Sequence, residues 1–314
     1  MEKLDISVNL CTYNRLEMLR KTLASLLNQQ TNGEFSYEII VVDDGSTDGT
    51  SAFMREIIAY AQIPVRYFRE EHVGVAGARN KGVKESLGEW IAFIDDDEIA
   101  ELYWLQELMT AAQSSCADCV GGSLKLLLED DTMAIAANIQ KHLGHTSRQG
   151  WVQKRFNYPG PGTGNALVKR TLFEKVGLFD TSLRVVGEDQ DFFRRVRQAG
   201  YKTIFTSKAL VHHITPAYRL QPPFLLALAR QHGQSLAYFD CREWGGLKAL
   251  LICGMRLGDV MAKTVKFCLI YTFNPASGSL LSLKCSLYNA LAYTKETVVQ
   301  LCCKSFSDMK PSID

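Results

Sequence analysis

Apolar residues in the first hundred positions follow two alternating spacings. Short continuous apolar runs, which are typical of buried strands, lie at residues 6–11, 38–42, 65–68 and 90–94. Segments with apolar residues at helical spacing lie between them, at residues 16–29, 48–60 and 76–85. This regular order of strands and helices predicts an α/β fold with a Rossmann-like, mostly parallel central sheet flanked by helices.

The rest of the chain is less regular, and residues 126–156 carry no clear pattern. Further helices are predicted at residues 105–113 and 188–198, and further strands at 117–125, 166–168, 203–205 and 209–211. From Pro223 onward the spacing is that of long helices. We therefore predict an α/β domain over residues 1–218 and a C-terminal helical region over residues 219–314.

Composition narrows the class of protein. The 314 residues are 46% hydrophobic, which is enough for a real core and excludes general disorder. Lys plus Arg number 35 and Asp plus Glu number 34, so the chain lacks the basic excess of a dedicated nucleic-acid binder. The nine cysteines are irregularly spaced, and no secretory signal is recognised at the start of the sequence. We expect reduced thiols and a cytoplasmic protein.

The charge is unevenly distributed, because residues 241–314 hold nine Lys and Arg against five Asp and Glu. Two stretches there, residues 247–256 and 260–271, are apolar with interspersed cations, and Trp244, Phe267 and Tyr271 lie near them. Neither is long enough and uninterrupted enough to span a bilayer. One interpretation is an interfacial helix at the inner face of the cell membrane, and the other is a lid or subunit contact.

Polar side chains follow three of the predicted strands at the point where each strand ends. Thr12-Tyr13-Asn14-Arg15 follows the first, Asp43-Asp44-Gly45-Ser46 the second and Asp95-Asp96-Asp97-Glu98 the fourth. In open α/β sheets, ligands bind at the carboxyl ends of the strands. These residues are therefore the first candidates for a functional site.

The run Asp95-Asp96-Asp97 places three carboxylates side by side, where they repel one another. A divalent cation is one way to offset that repulsion, and oxygen ligands suit Mg²⁺ or Mn²⁺. A solvated acidic loop is the alternative. The position of the run directly after a buried strand favours the metal.

Other candidates carry weaker signals. Asp44 would lie at the sheet edge, able to accept a hydrogen bond from a base N–H. The small residues before Arg79 start a helix whose free amides favour anions. Glu188 and Asp189 open another helix, either as caps or with one carboxylate as a general base. Of the adjacent His212 and His213, one is a candidate metal ligand.

Four segments together resemble family 2 glycosyltransferases, which have the GT-A fold. They are Thr12 to Arg15, Val42 to Asp48, Gly77 to Gly82 and Gly88 to Asp97, in the order and at the spacing of that family. The similarity extends through Gly164-Asn165, Glu188-Asp189 and His213-Ile-Thr-Pro216 to about residue 235. The resemblance implies an inverting transfer of sugar from a nucleotide-diphosphate sugar, with Mn²⁺ or Mg²⁺ as cofactor.

The resemblance also implies roles for individual residues. Thr12, Tyr13 and Arg15 would line the nucleotide pocket, Asp44 would recognise the base, favouring uracil, and Arg79 would lie near the base or the diphosphate. Asp95 and Asp97 match the DxD pair, with Asp97 as the metal ligand, Asp95 nearer the ribose and Asp96 as an alternative. Gly164, Asn165 and Glu188 would lie near the donor sugar and acceptor, Asp189 would be the base, and His213 would complete the metal shell.

Two other classes of function stay open at this point. A non-catalytic nucleotide-sugar-binding protein would keep Asp44 and Asp97 without needing Asp189. A phosphohydrolase with an aspartyl nucleophile also carries an Asp-x-Asp after a buried strand, but leaves Asp43-Asp44-Gly45-Ser46 without a role. The acceptor would be a glycan or a lipid-linked molecule, in polysaccharide or glycoconjugate biosynthesis.

Overall fold

The computed structural model describes residues 4–128, 135, 139–140, 143–146, 150–151, 160–183, 187–273 and 280–307. The chain divides into two compact units: Met1–Leu127 with Gly144–Ile214, and Leu128–Leu143 with Thr215–Asp314. The second unit thus takes in a stretch from the middle of the chain, which the sequence pattern did not indicate. Most of residues 126–156, the part without a clear pattern, lies outside the described residues.

The first unit alternates strands and helices as predicted. Its strands are β1 (Ile6–Thr12), β2 (Tyr37–Asp43), β3 (Val65–Arg69), β4 (Trp90–Asp95), β5 (Glu98–Ala100), β6 (Cys119–Leu128), β7 (Gly150–Trp151), β8 (Ala166–Lys169) and β9 (Thr203–Thr215). Its helices are α1 (Leu16–Leu27), α2 (Thr50–Tyr60), α3 (Gly74–Glu85), α4 (Trp104–Ser115), α5 (Thr171–Val176) and α6 (Glu188–Gln198).

Within the described residues, all of these strands belong to one mixed sheet, in the order β3-β2-β1-β4-β8-β6-β9-β5, with β7 paired to β9. Strands β1 to β4 are parallel to one another, whereas β4–β8, β6–β8, β5–β9 and β7–β9 are antiparallel. The α/β fold class is therefore confirmed, and the parallel part of the sheet is its first four strands. The carboxyl ends of β1, β2 and β4 meet at one edge, because their registers match.

Two features differ from the sequence prediction. Residues 203–205 and 209–211 were predicted as separate strands, but they are parts of the single strand β9. The polar Ser207-Lys208 between them marks no turn, because outward-facing side chains of a half-exposed strand can be polar without ending it. The short elements β5, β7 and α5 gave no periodic signal, since they span only two to six residues.

The core lies between the sheet and the helices on each face. Leu19, Leu23 and Leu26 of α1 and Trp104 of α4 pack against one face of the parallel strands. A second cluster, on the other face, contains Phe93, Phe173, Phe179 and Phe192, whose rings are in mutual contact. Burying aromatic side chains of this size contributes strongly to stability, because each removes a large apolar area from water.

The second unit contains three long helices, α7 (Pro222–Trp244), α8 (Gly246–Phe273) and α9 (Leu280–Ser307), preceded by a short 3₁₀ turn at Ala217–Leu220. Helices α7 and α9 cross closely at Gly233, where a side chain would overlap the carbonyl oxygen of Asn289 at 2.2 Å. The buried Tyr293 hydroxyl donates to Asp240 Oδ2 at 2.7 Å and ties the same two helices together. Over the described residues, none of the helices is long and apolar enough to cross a membrane.

Asn165 is a structural junction of the first unit. Its Oδ1 accepts a hydrogen bond from the buried Trp104 indole at 2.8 Å, and its Nδ2 donates to the carbonyls of Ser123 and Ala209 at 2.8 and 2.9 Å. Three separate segments are therefore held by one buried amide. The acceptor or donor contact expected for Asn165 would have to come from its backbone, because these bonds occupy the side chain.

We predict that Asn165→Asp destabilises this unit, because a carboxylate cannot donate to the Ser123 and Ala209 carbonyls. Leaving these buried acceptors unsatisfied costs about 2 kcal/mol, which corresponds to a fall in Tm of roughly 4–8 °C for a unit of this size. Calorimetry checks this. The control is Asn32→Asp, which makes the same change at an exposed loop position. Equal melting temperatures for the two variants would contradict the prediction.

Candidate active site

The three adjacent aspartates of the β4–β5 junction are held by two arginines and a threonine. Asp95 Oδ1 accepts from Arg79 Nη2 at 2.8 Å. Arg15 Nη1 donates to Asp96 Oδ1 at 3.0 Å and to Asp97 Oδ2 at 3.2 Å. Thr12 donates to the other oxygen of Asp96 at 2.8 Å. The protein's own side chains therefore offset much of the repulsion that the sequence alone attributed to a cation, so charge balance by itself does not require a metal.

These contacts distinguish the three carboxyls from one another. Asp96 and Asp97 are buried, whereas the Asp95 side chain is 40% exposed. Burial raises the pKa of Asp96 to about 6, against the opposing effect of Arg15 and with a further rise from Asp97. Both oxygens of Asp96 are bonded, to Thr12 and Arg15, which holds the junction in shape. Of the three carboxylates, Asp95 is the most exposed.

Arg79 connects this junction to helix α6. Its guanidinium, on α3, is buried and hydrogen-bonds through Nη1 to Glu188 and through Nη2 to Asp95. Glu188 is also buried and lies at the first position of α6, where its second oxygen accepts from the amide of Gly187 at 3.1 Å. Residues far apart in sequence are thus joined by one ion-pair network.

Asp189 follows Glu188 in the first turn of α6. Its Oδ1 accepts from the Gln190 amide at 2.7 Å. Burial raises the pKa of Asp189 to about 6, the neighbouring Glu188 raises it further, and Arg79 opposes the rise. Asp189 is therefore ionised at neutral pH but is a stronger base than an ordinary aspartate, as general-base catalysis requires.

The glycine-rich loop before β8, residues 160–165, lies against Asp189 and Glu98. A side chain at Gly162 would come within 3.7 Å of Asp189 Oδ2, and one at Gly164 would overlap Glu98 at 2.4 Å. The loop backbone can approach Glu98 this closely because Gly164 has no Cβ. The loop that carries Gly164 therefore also lies near Asp189, so two positions predicted for the site are brought together.

Glu98 was placed at the end of a strand by the sequence, but no role was predicted for it. It is buried beneath the acidic run, and its Oε2 accepts from the Asp95 amide at 3.0 Å. Burial raises the pKa of Glu98 well above its usual value, with added contributions from Asp95 and Asp97. In the sequence, the signal for such a role was that Glu98 directly follows the three aspartates.

Strand β9 brings His213 to Asp97. The register pairs Glu98 with His213, and the Ile214 amide donates to the Asp97 carbonyl at 2.8 Å. His213 Nε2 lies 3.4 Å from Asp97 Oδ2. His212 faces the other side of the strand, with its Nε2 2.6 Å from Glu101 Oε1. The structure therefore puts His213, and not His212, beside Asp97.

The donor set of Asp97 and His213 fits a divalent cation. Ligands at adjacent positions of an octahedron with bonds of ~2.1 Å lie ~3 Å apart, close to the separation of these two atoms. Among the described residues, no group of three or more His, Cys, Asp and Glu side chains forms a site. A cation held by these two side chains would therefore take its other ligands from phosphate oxygens and water.

Asp44, Tyr13 and His72 lie close together beyond the ends of β1 and β2. Asp44 accepts from the amides of Val73 and Gly74 at 2.6 and 3.0 Å, so it also caps the start of α3. Tyr13 is 47% exposed and meets His72 edge to face, with ring centroids 5.2 Å apart. His72 has a positive φ of 55°, which is unusual for a residue other than glycine. Sequence reasoning missed His72, whose only signal was its place just before α3.

The comparison with known families agrees with this geometry. The profile of Glycosyl transferase family 2 matches residues 7–177, which is more than half of the chain. That range includes β1 to β4, the acidic junction and the glycine-rich loop.

Proteins of similar sequence in other organisms are named as a glycosyltransferase and as a polysaccharide biosynthesis protein. The chain is 29% identical over 209 residues to the glycosyltransferase AglE of Haloferax volcanii, covering 66% of each chain. It is 28% identical over 259 residues to the succinoglycan biosynthesis protein ExoM of Rhizobium meliloti, covering 79% of each chain.

Solved structures show the same fold at lower identity. Residues 1–349 of S. aureus TarS, in complex with UDP-GlcNAc, have a TM-score of 0.54 and 18% identity, covering 77% of this chain and 73% of that one. GalNAc-T7 with UDP, GalNAc and Mn²⁺ has a TM-score of 0.55 and 20% identity, covering 73% of this chain and 48% of that one. From the profile match and the fold together, the chain belongs to glycosyl transferase family 2.

Proposed function

We propose that this protein is a metal-dependent, inverting glycosyltransferase that moves a sugar from a UDP-sugar to an acceptor hydroxyl. The observation that supports this best is the network around Arg79. It connects Asp95, at the end of the strand that leads to the DxD carboxylates, with Glu188, next to the candidate base Asp189. A nucleotide diphosphate and an acceptor can therefore meet between residues held by one ion-pair system.

The roles follow from position and charge. Tyr13, His72 and Asp44 hold the nucleoside, with the Asp44 carboxylate accepting from a base N–H. Asp95 lies near the ribose, and Asp97 with His213 holds the cation. The structure of TarS in complex with UDP-GlcNAc and that of GalNAc-T7 with UDP and Mn²⁺ support a uridine donor and a divalent ion.

The transfer needs a base and a neutralised leaving group. Asp189 removes the proton of the acceptor hydroxyl as its oxygen attacks the anomeric carbon from the side opposite the diphosphate. The bond from that carbon to the diphosphate oxygen breaks in the same step, its electron pair leaves with the diphosphate, and the configuration inverts. A bound Mn²⁺ or Mg²⁺ supplies Lewis-acid stabilisation of the leaving charge.

The acceptor is proposed to be a glycan or a lipid-linked glycan. The name of ExoM, a succinoglycan biosynthesis protein, supports a place in polysaccharide or glycoconjugate assembly. A lipid-linked acceptor would place the reaction at a membrane surface, and for the cytoplasmic protein that the sequence leads us to expect this is the inner face of the cell membrane.

We predict that Asp189→Asn lowers turnover by ~10²–10⁴-fold, because a positioned general base contributes about that much. UDP affinity stays unchanged, since the amide keeps the shape and its oxygen still accepts from Gln190. Steady-state transfer and calorimetric titration with UDP measure the two effects. The control is Glu56→Gln, the same chemical change at an exposed position of α2. Near wild-type turnover in Asp189→Asn would remove Asp189 as the base. UDP binding without any transfer by the wild type would instead favour a binding protein.

The raised pKa of Asp189 predicts the pH dependence. Above its pKa of about 6 the carboxylate is free to accept a proton, and below it the protonated acid is not. The catalytic rate should therefore fall about tenfold per pH unit on the acid side of 6. Asp189→Asn should lack this limb. A wild-type profile that stays flat well below pH 6 would contradict the assignment.

The paired histidines allow a matched test of the metal site. We predict that His213→Ala and Asp97→Ala each weaken Mn²⁺-dependent UDP binding at least tenfold. His212→Ala should bind as wild type does, because its ring faces Glu101 instead. Calorimetric titrations with and without Mn²⁺ provide the measurement. Equal losses in both histidine variants, or no loss in His213→Ala, would show that this pair does not hold the cation.

A further inference from the structure

Helix α8 carries an outward apolar face that the proposed reaction does not use. Its inner positions, Ala249, Cys253 and Val260, are buried against the other helices of the second unit. On the opposite side lie the residues that we call the α8 face: Leu250, Leu251, Gly254, Met255, Gly258, Met261, Ala262 and Val265. Every one of these eight is exposed and apolar.

The α8 face is continuous along the helix. Leu251, Met255, Gly258, Ala262 and Val265 follow one another at intervals of four and three residues, which is the spacing of one helical stripe. The large side chains are strongly exposed: Leu251 is 72%, Met255 74% and Met261 70% accessible. A contiguous apolar surface of this kind on a water-soluble helix marks an interaction site.

Positive charge borders this face. Lys248 and Lys263 are exposed along one edge of the stripe, where Asp259 pairs with Lys263 at 2.5 Å. A second exposed stripe lies on α9 and contains two lysines among four apolar residues. Its members are Leu280, Lys284, Leu287, Leu291, Lys295 and Val298. Among the described side chains of α8 and α9, the exposed charges are four lysines against Asp259 alone.

We propose that the α8 face docks on an anionic lipid surface. A helix with an exposed apolar face and flanking lysines matches the interfacial helices that lie in the headgroup region, where lysines meet anionic lipid. The proposal names the surface that would hold the protein at the membrane. It stands whether or not the protein transfers sugar.

A second copy of the chain is the competing occupant. Gly254 and Gly258 have the spacing that lets two helices approach closely. However, two copies meeting through this face would bring together two borders of net positive charge, and like charges disfavour an interface. Anionic lipid carries the complementary charge, so it is the occupant that satisfies both the apolar and the basic character of the surface.

The test is flotation of the full chain with vesicles of phosphatidylcholine, with and without phosphatidylglycerol. Wild type should float with the anionic vesicles and less so as salt is raised. Leu251→Gln/Met255→Gln should lose flotation. Lys248→Gln/Lys263→Gln should weaken binding to anionic vesicles by roughly fivefold for each lysine. Ile58→Gln/Tyr60→Gln, which removes two exposed apolar residues of α2, is the matched control and should float as wild type does.

Each outcome decides the proposal. Helix content and Tm are measured for every variant, and these exposed substitutions should leave both unchanged. Failure of wild type to float, or equal flotation of wild type and Leu251→Gln/Met255→Gln, would overturn it. A dimer seen by analytical ultracentrifugation that this variant abolishes, without lipid binding by wild type, would identify a second copy as the occupant. UDP binding, measured in the same samples, separates failure of this inference from failure of the proposed function.

Discussion

One buried guanidinium determines how the site is assembled. Arg79 lies between Asp95, at the end of β4, and Glu188, at the start of α6, and it bonds to both. Removing a buried charge from water is costly unless it is paired, so the two acids and the arginine hold one another in place. Asp95 and the start of α6, which carries the candidate base Asp189, are therefore held in a fixed relation to each other.

The same principle explains the acidic junction after β4. Three adjacent aspartates appear unstable as a sequence, but each has a different environment in the fold. Asp96 is buried with Thr12 and Arg15, Asp95 faces Arg79, and Asp97 lies beside His213. A run of like charges thus becomes three carboxyls that are each held by a different set of partners. Glu98 beneath them supports the turn by accepting from the Asp95 amide.

The two units of the chain pose different physical problems. The first buries its sheet between helices and exposes polar strand ends, which is the arrangement for a ligand. The second packs three helices through small and polar contacts, such as Gly233 against Asn289 and Tyr293 with Asp240, and leaves apolar surface on α8 outside. Both units expose single apolar side chains, such as Ile58 and Tyr60 on α2, but on α8 the exposed apolar side chains form one continuous stripe. That contrast is why a small-molecule site is proposed for one and a lipid surface for the other.

The sequence by itself determined the alternation of strands and helices up to residue 100, because buried strands and amphipathic helices have local periods of their own. It also placed Asp44, Asp95 to Asp97 and Glu188-Asp189 at element ends, where ligands bind. Only the tertiary structure decided what these residues touch: that Asn165 is a junction with a fully bonded side chain, that His213 rather than His212 meets Asp97, and that His72 stands beside Tyr13. Some of these contacts join positions more than a hundred residues apart, as Asp97 and His213 are. They depend on which strands lie side by side, and that order is decided by tertiary packing between segments distant in sequence.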